Sequence, residues 1–420
     1  MKKLVINGGR KLDGSVMLQG SKNSALPILA ATVAVGGTSV IHNCPDLTDI
    51  SATLTILRHL GCRTKREGHT VIVDASGADR FDIPENLMRE MRSSIVFLGA
   101  LLAGFGRGSV TPPGGCEIGL RPIDLHLSSL KRMGVSVEEK NGRLECVAKN
   151  GIKGGRINLT FPSVGATENI ILAAVRAKNE TVITNAAREP EIVDLADFLN
   201  RCGAKIKGAG QSVIHISPVK KLVPAEHTII PDRIVASTFM ASAATAGGRV
   251  AVNGIVRGHL DSVISVFENA GCGISVSGRE LVIRSDRRLS GIRYLKTMPY
   301  PGFPTDSQAI VMAMLAKADG TSVVAEKIFE NRFRHVPELA KMGADIRIEN
   351  GRVAVVRGVE KLHGADVAAT DLRGGCALAV AALGADGKTT IGNVFHIDRG
   401  CENFENSLAQ LGADVKRLLG

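Results

Sequence analysis

Hydrophobic and polar positions follow one pattern that recurs six times along this chain. Each copy contains an apolar segment of helical period, such as NIILAAVRA or AIVMAMLAKA, and a short apolar strand after it. A second helix then ends at LGC, LGA or a close variant, and alternating strand positions follow. Glycine is expected just past a helix end, because positive φ costs it no steric energy. The shared glycines, spaced 68 to 73 residues apart, are Gly61, Gly134, Gly203, Gly271, Gly343 and Gly412.

The turns between the closing strands indicate hairpins. A helix between two strands favours parallel pairing through a crossover, whereas a hairpin adds antiparallel strands. The six copies therefore predict an α/β fold of repeated βαβαββ-type units. The turn residues of five copies are Gly68, Asn141 with Gly142, Gly210, Gly278, and Asn350 with Gly351.

Two linkers divide the copies into two groups of three. VPAEHTIIPDR lies between the third and fourth copies, and the similar DGSVMLQGSK precedes the first copy. We therefore expect two similar lobes: residues 21–230, and residues 1–20 together with 231–420. Two linkers between the same lobes form a double hinge, and such lobes can close on a ligand.

Composition narrows the possible functions. The chain has 420 residues, 44% of them hydrophobic, but no Trp and only two Tyr, which argues against aromatic stacking platforms for nucleic acid. The net charge of +11 is spread without a long basic block, so anionic small substrates fit better than a nucleic-acid stripe. The longest apolar run, IVFLGALLAGFG, has twelve residues and is too short to span a bilayer.

The cysteines indicate the compartment. None of the eight forms a C-x-x-C pair, and MKKLVINGGR lacks the apolar segment of a signal peptide. We therefore expect reduced thiols and a cytoplasmic protein, with no membrane or nucleic-acid partner.

Two positions of the repeat carry polar residues that folding alone does not require: the start of the first helix and the loop after the next strand. Helix starts bind anions through free N–H groups, so a cleft with many cations fits a ligand with several phosphates or carboxylates. For any single arginine, pairing with an acidic neighbour such as Glu189, Glu330 or Asp398 is the alternative. The residues at these positions are Lys22, Arg92, Asp232, Arg233, Asp306, Arg373, Cys116, Arg121, Arg188, Arg332 and Arg399.

Eight motifs that span nearly the full chain resemble the enolpyruvyl transferases, and specifically the branch that acts on UDP-N-acetylglucosamine in peptidoglycan synthesis. They are GSKNSALPIL, MRSSIVFLGALLA, PGGCEIGLRPIDLH, PSVGATENI, PYPGFPTDSQA, FENRFRHVPEL, TDLRGGCAL and HIDRGCENF. The resemblance implies an inside-out α/β barrel with three repeats in each of two lobes. It also implies transfer of the enolpyruvyl group of phosphoenolpyruvate to the sugar 3′-hydroxyl, through a tetrahedral ketal, without a metal or other cofactor.

The resemblance assigns roles to the charged residues. Lys22, Arg121 and Arg399 match positions that hold phosphoenolpyruvate, and a solvated helix cap is the alternative for Lys22. Asp306 matches the carboxylate beside the 3′-hydroxyl, a candidate general base, although an ordinary aspartate of a first helical turn is the alternative. The supporting cations are Arg92, Arg332 and Arg373.

Further matches concern the nucleotide sugar. Asn23 matches an amide that contacts the sugar, and Ile328 matches a backbone contact to it. The uridine-binding run is Arg121, Pro122, Ile123, Asp124 and Leu125, and the diphosphate-binding helix start is Ser163, Val164 and Gly165. Glu330 and Asp371 match acidic positions of the cleft, and Asp232 matches a position at the hinge.

Cys116 lies in the Gly/Pro-rich loop TPPGGCEIGLRP, near Arg121. Cations favour thiolate, so we expect its pKa to lie below that of a free thiol and its side chain either to donate the proton that starts addition, as the catalytic acid, or to attach briefly to the substrate. The resemblance also implies sensitivity to the epoxide fosfomycin. Three residues depart from the family pattern: Phe161, Cys376 and Cys401.

Two alternatives remain at this stage. One is the shikimate branch of the same family, against which the PGGCEIG loop argues. The other is a non-catalytic or nucleic-acid-binding protein of this fold, against which the presence of Lys22, Cys116, Asp306 and Arg399 argues.

Overall fold

A computed structural model describes residues 2–113, 119 and 122–419 of the chain. The described residues form two compact units, one made of residues 20–113 and 122–230, the other of residues 2–19 and 231–419. Each unit has its own hydrophobic core. No helix of this described part is both long and apolar enough to cross a membrane.

The strands are numbered in chain order. They are β1 (Lys3–Asn7), β2 (Leu12–Met17), β3 (Thr38–His42), β4 (Arg63–Glu67), β5 (Thr70–Asp74), β6 (Arg107–Val110), β7 (Ser136–Lys140), β8 (Arg143–Val147), β9 (Gly155–Asn158), β10 (Thr181–Thr184), β11 (Lys205–Lys207), β12 (Val213–Ser217), β13 (Glu226–Thr228), β14 (Gly248–Asn253), β15 (Gly273–Ser277), β16 (Glu280–Ser285), β17 (Leu295–Lys296), β18 (Thr321–Ala325), β19 (Asp345–Glu349), β20 (Val353–Arg357), β21 (Asp366–Ala368), β22 (Lys388–Gly392) and β23 (Asp414–Leu418).

The helices are numbered in the same way. They are α1 (Lys22–Val35), α2 (Thr48–His59), α3 (Glu85–Glu90), α4 (Phe97–Phe105), α5 (Asp124–Arg132), α6 (Val164–Ala174), α7 (Pro190–Arg201), α8 (Arg233–Ala246), α9 (Asp261–Asn269), α10 (Thr305–Leu315), α11 (Val336–Lys341), α12 (Leu372–Leu383) and α13 (Phe404–Gln410). Short 3-10 helices span Arg92–Val96, Arg257–His259 and Val394–Arg399.

The described strands of residues 20–230 form three sheets, in the orders β13-β3-β5-β4, β6-β8-β7 and β11-β12-β10-β9. In the first and third sheets one edge strand pairs in parallel, β13 with β3 and β9 with β10, and the remaining pairs are antiparallel. The helices α1, α4 and α6 pack on one another inside this unit. Their sequences are apolar on nearly every face, which is typical of a helix surrounded by other elements.

The other unit repeats this arrangement, with sheets in the orders β21-β22-β1-β23, β15-β16-β14-β2 and β17-β18-β20-β19. Its central helices are α8, α10 and α12, which also pack on one another. The N-terminal strand β1 lies antiparallel between β22 and β23. It takes the place in this sheet that β16 takes in the sheet β15-β16-β14-β2.

The six repeated glycines adopt the backbone conformation expected of a residue just past a helix end. Their φ angles lie between 84° and 99°, in the region where a side chain would strain the backbone. The second helix of each copy therefore ends at the same point of the repeat. The central helices of the two units begin at corresponding points of their copies. In both units the sequence motifs that carry charge lie at or near these helix starts.

Candidate active site

The most connected group of predicted site residues lies in the unit of residues 231–419. Asp306, the second residue of α10, accepts a hydrogen bond at 2.6 Å from Nη2 of Arg332 and one at 2.8 Å from Nη2 of Arg373. Both arginines are only 4% exposed, whereas the Asp306 side chain is 27% exposed. One carboxylate is thus held between two buried guanidinium groups and remains partly open to solvent.

The two arginines keep hydrogen-bonding capacity that the described residues do not use. Nε of Arg332 and Nη1 of Arg373 are buried and have no hydrogen-bond partner in the described part of the chain. Burial opposes the charge of Arg373, but Asp306 and Asp232 outweigh it and raise the pKa of the guanidinium above its usual value. Permanently charged donors of this kind suit a bound phosphate or carboxylate.

Asp371 supports Arg373 from the start of α12. It caps the helix by accepting hydrogen bonds from the amides of Arg373 at 3.0 Å and Gly374 at 3.1 Å. Burial raises the pKa of Asp371. The charge of Arg332 and the hydrogen bonds from these amides lower it by more, so the net pKa lies below the usual value. The neighbouring His335 is fully buried, and burial lowers its pKa to about 4.

Arg399 ends the 3-10 helix Val394–Arg399, which packs against α12. The residues after it are held by Gln19, whose amide nitrogen donates to the Gly400 carbonyl at 3.1 Å. The Gln19 amide oxygen accepts from the Glu402 amide at 2.8 Å. The Cys401 thiol lies 3.4 Å from that of Cys376, and both are buried.

Lys22 and Asn23 begin α1 in the other unit. Lys22 is buried, and its ammonium group lies 3.1 Å from the carboxylate of Asp49 on α2. Arg92 begins the 3-10 helix that precedes α4 and donates to the carbonyl of Pro113 at 3.2 Å. Pro113 is the last described residue before the segment with Cys116. Cys116 and Arg121 lie outside the described residues.

The predicted nucleotide-binding segments lie in that same unit, at two helix starts. Pro122 and Ile123 precede α5, and Asp124 and Leu125 are its first two residues. Ser163 caps α6 by accepting a hydrogen bond from the Ala166 amide at 3.3 Å, and Val164 and Gly165 are the first two residues of that helix.

A buried amide that the sequence analysis did not identify joins these segments. Asn169 is fully buried on α6, and its side chain bonds the carbonyl of Ile95 at 3.0 Å, the amide of Gly99 at 2.6 Å and Nδ1 of His126 at 2.7 Å. These partners lie on the segment that begins at Arg92 and on α5. Asn169 therefore fixes three predicted ligand-binding segments to one another.

The structure thus brings Asp306, Arg332 and Arg373 into direct contact, and places Ile328 on the loop of Arg332 and Arg399 at the end of a 3-10 helix of the same unit. Glu330, in the loop with Ile328, lies 3.2 Å from Arg352. Asp232 caps α8 by accepting hydrogen bonds from the amides of Ile234 and Val235. Among the described residues, no group of three or more His, Cys, Asp or Glu side chains is arranged to hold a metal ion.

Comparison with known proteins gives a consistent result. Residues 6–408 match the family model of EPSP synthase (3-phosphoshikimate 1-carboxyvinyltransferase). UDP-N-acetylglucosamine 1-carboxyvinyltransferase 2 of Caldanaerobacter subterraneus subsp. tengcongensis is 50% identical over 419 residues, with 100% of each chain covered. UDP-N-acetylglucosamine 1-carboxyvinyltransferase of Myxococcus xanthus is 46% identical over 420 residues, with 99% of each chain covered.

Solved structures show the same similarity. The enolpyruvyl transferase NikO from Streptomyces tendae matches with a TM-score of 0.89 at 25% identity, covering 100% of this chain and 99% of that one. EPSP synthase from Acinetobacter baumannii shares the fold with a TM-score of 0.75 at 19% identity, covering 100% of both chains. The family match, the full-length relatives and the charged groups at the helix starts agree, and the chain therefore belongs to the EPSP synthase family of enolpyruvyl (carboxyvinyl) transferases.

Proposed function

We propose that the protein transfers the enolpyruvyl group of phosphoenolpyruvate to the 3′-hydroxyl of UDP-N-acetylglucosamine and releases phosphate, the first committed step of peptidoglycan synthesis. Full-length relatives that are 46–50% identical carry the name of this activity. The observation that supports it best is the position of Asp306, a partly exposed carboxylate held by two buried arginines. A partly exposed carboxylate can reach a sugar hydroxyl, while the two arginines fix its orientation and keep buried donors for an anionic second substrate.

The proposed reaction has two steps, addition and elimination. In the first, Asp306 takes the proton of the 3′-hydroxyl as the sugar oxygen attacks C2 of phosphoenolpyruvate, and Cys116 gives a proton to the methylene carbon C3. In the second, C3 loses a proton and the C2–O bond to phosphate breaks. Every step is a proton transfer or a bond exchange between the two substrates, so the proposal needs no cofactor.

Cations hold the phosphoenolpyruvate in this proposal. Lys22, Arg121 and Arg399 bind its phosphate and carboxylate, and Arg92, Arg332 and Arg373 support them. The unpaired donors on Arg332 and Arg373 favour an anion next to Asp306.

We propose that the nucleotide sugar is held by the helix starts and one loop. Ser163, Val164 and Gly165 present the amides of the first turn of α6 to the diphosphate. Asn23 and Ile328 contact the sugar, and the run from Arg121 to Leu125 contacts the uridine. Phe161, two residues before Ser163, is 41% exposed and supplies no charge there. A lysine at this position would share the binding of the diphosphate, so without it the amides carry a larger part.

We propose that the chain adopts the inside-out α/β barrel of this family. It is supported in each unit by three mutually packed, buried helices and three sheets. We place the activity in the cytoplasm, where the thiols remain reduced.

The shikimate branch is the second candidate, because the matching family model carries its name. The decisive experiment measures phosphate release from phosphoenolpyruvate with UDP-N-acetylglucosamine, with shikimate 3-phosphate, and with neither. We expect release with the nucleotide sugar alone. Release with shikimate 3-phosphate instead would assign the other branch, and no release with either acceptor would indicate a non-catalytic member.

A further inference from the structure

Glu326 is a carboxylate at a fully buried position, directly after β18. Its Oε1 accepts hydrogen bonds from the amide of Ile328 at 2.7 Å, the amide of Phe329 at 3.1 Å and the hydroxyl of Thr297 at 2.9 Å. Its Oε2 accepts one from the hydroxyl of Thr305 at 2.9 Å. Four donors from three segments of the chain thus converge on one side chain.

Folding alone gives little reason for a charge at this position. Within the described residues no lysine or arginine forms an ion pair with Glu326, and a buried carboxylate without a cation is expensive to desolvate. A carboxylate can, however, accept from all four donors at once, whereas a glutamine offers a single acceptor oxygen. Glu326 is therefore better explained by the positions of the four donors that it fixes than by a contribution to the free energy of unfolding.

On one side Glu326 fixes the loop that contains Ile328. Its Oε1 holds the amides of residues 328 and 329, and the Thr297 hydroxyl accepts from the amide of Lys327 at 2.9 Å. Three consecutive amides of the loop are therefore anchored. The loop continues to Arg332, which contacts Asp306.

On the other side Glu326 fixes the start of α10. Thr305, its first residue, is held at its hydroxyl by Glu326 and at its carbonyl by Nη2 of Arg332 at 3.3 Å. Asp306 is the next residue. The orientation of its carboxylate is therefore tied to the same side chain as the loop of Ile328.

We propose that Glu326 is a positioning residue that sets the distance between the carboxylate of Asp306 and the loop of Ile328. This inference rests on the proposed function, in which Ile328 contacts the sugar and Asp306 takes the proton of its 3′-hydroxyl. Proton transfer needs these groups within hydrogen-bond reach, and a misplacement of about 1 Å can lower a rate about 10²-fold. Glu326 itself does not touch the substrate.

The two sides of the carboxylate can be separated by isosteric substitutions. Thr305→Val removes only the contact between Glu326 and α10, so we expect kcat to fall about tenfold while KM for UDP-N-acetylglucosamine stays within about threefold. Thr297→Val removes the hydroxyl that links the Lys327 amide to Glu326 and leaves the amides of Ile328 and Phe329 on Oε1, so it should raise that KM more than it lowers kcat. The opposite pattern, or equal effects of both variants on both constants, would contradict the proposed division.

Substitution of Glu326 itself gives a graded series. Glu326→Ala removes the acceptor that the amides of Ile328 and Phe329 share, and we expect kcat/KM to fall about 10²-fold. Glu326→Gln keeps an acceptor for these amides but replaces the acceptor of the Thr305 hydroxyl with a donor, so its activity should lie between those of Glu326→Ala and the wild type. Adding Thr305→Val to Glu326→Ala should lower kcat no further, since that contact is already lost.

Ser322→Ala is the matched control. Ser322 is buried on β18 and accepts a hydrogen bond from the amide of Ile292 at 2.8 Å, away from Asp306 and residues 327–332. The variant should lose stability as Glu326→Ala does, but keep the wild-type kcat and KM. If Glu326→Ala also changes only stability, Glu326 is a structural residue and the proposal is wrong.

Hydrogen exchange gives a readout that does not depend on turnover. In Glu326→Ala, peptides covering residues 305–309 and 327–329 should exchange faster together, whereas Ser322→Ala should leave both unchanged. Unchanged exchange at either segment would overturn the proposed link. Absence of phosphate release by the wild-type protein would instead refute the proposed function, and the exchange result would still decide whether Glu326 joins the two segments.

Discussion

At the scale of single residues, Asp306 is the group on which the proposed chemistry depends most. Asp306→Asn keeps the shape of the side chain but cannot take a proton. We expect turnover to fall about 10²–10⁴-fold, while the affinity for UDP-N-acetylglucosamine, measured by calorimetry, changes only a few-fold. The result separates loss of a base from loss of binding.

The control for Asp306 is the same substitution at Asp261, which begins α9 and forms an exposed pair with Arg257. Asp261→Asn should leave turnover unchanged. Near-normal turnover in Asp306→Asn would remove this carboxylate from the mechanism and favour the alternative of an ordinary residue in a first helical turn.

Cys116 should differ from the other cysteines in reactivity. The seven described cysteines are buried, and burial raises the pKa of Cys62, Cys146, Cys202 and Cys272 to about 12, so they hold little thiolate near neutral pH. We predict that brief alkylation labels Cys116 first, as read by mass spectrometry of the peptides. A first label on another cysteine would contradict its assignment as the reactive thiol.

Substitutions at Cys116 test the same assignment by activity. Cys116→Asp should keep some turnover, because a protonated carboxyl group can donate, and should resist fosfomycin, because no thiol is available to attack the epoxide. Cys116→Ser should lose turnover. Normal turnover in the serine variant would show that this residue is not the catalytic acid.

The sequence could predict only part of the candidate site at this scale. Helix-start residues such as Lys22 and Asp306 are identifiable because local sequence shows both the helix start and the charge. Glu326 and Asn169 are not, because a glutamate after a strand and an asparagine in a helix are usually exposed. Their burial is a property of tertiary packing that local sequence does not record.

At the scale of elements, the helices and hairpins follow from periodicity, since apolar helices end at glycines of positive φ. The strands that pair with β1 could not be predicted from the local sequence. The five residues of β1, KLVIN, form a sheet with β22 and β23 near the opposite end of the chain. A short strand specifies which face is buried but not which distant strand it joins.

Gln19 gives a prediction at this scale, because it follows β2 and fixes the loop after Arg399. Gln19→Ala removes both contacts of the side chain and should loosen that loop. Since we assign Arg399 to phosphoenolpyruvate, we expect KM for phosphoenolpyruvate to rise about tenfold, with a smaller change in KM for the nucleotide sugar. Steady-state kinetics with each substrate varied in turn measures the difference.

Two further variants sharpen the test of Gln19. Gln19→Glu keeps the acceptor for the Glu402 amide but cannot donate to the Gly400 carbonyl, so its effect should be intermediate. Gln410→Ala, at an exposed position at the end of α13, should have no effect. An unchanged KM for phosphoenolpyruvate in Gln19→Ala would show that Arg399 does not depend on this contact.

At the scale of the whole molecule, six sequence copies correspond to six sheets of the described strands, three in each unit. The exchange of two strands is less evident from the sequence. β2 precedes α1 but pairs with β14, and β13 precedes α8 but pairs with β3. Both strands have a similar local pattern and either partner sheet would satisfy it, so the linkers suggest an exchange without specifying its register.

The stability of the molecule should depend on the protonation of His335. Burial, with the charge of Arg332, lowers its pKa from 6.5 to about 4, although Asp371 opposes the shift. Between these values the unfolded chain binds a proton that the folded chain does not, so folding stability rises with pH across this window and falls on acidification. A shift of this size corresponds to at most about 3 kcal/mol.

We therefore predict that His335→Gln, which does not titrate, loses less unfolding free energy than the wild type between about pH 7 and about pH 4.5. Urea unfolding followed by far-UV circular dichroism measures the difference, since the chain has no Trp for fluorescence. Titrating groups other than Asp371, which interacts with His335, contribute alike to both proteins and cancel in the comparison. His363→Gln, at an exposed position, should follow the wild type.

If His335→Gln shows the same acid-induced loss of unfolding free energy as the wild type, His335 does not link pH to stability. If the two units unfold separately, the effect should be confined to the transition of the unit formed by residues 2–19 and 231–419, to which His335 belongs.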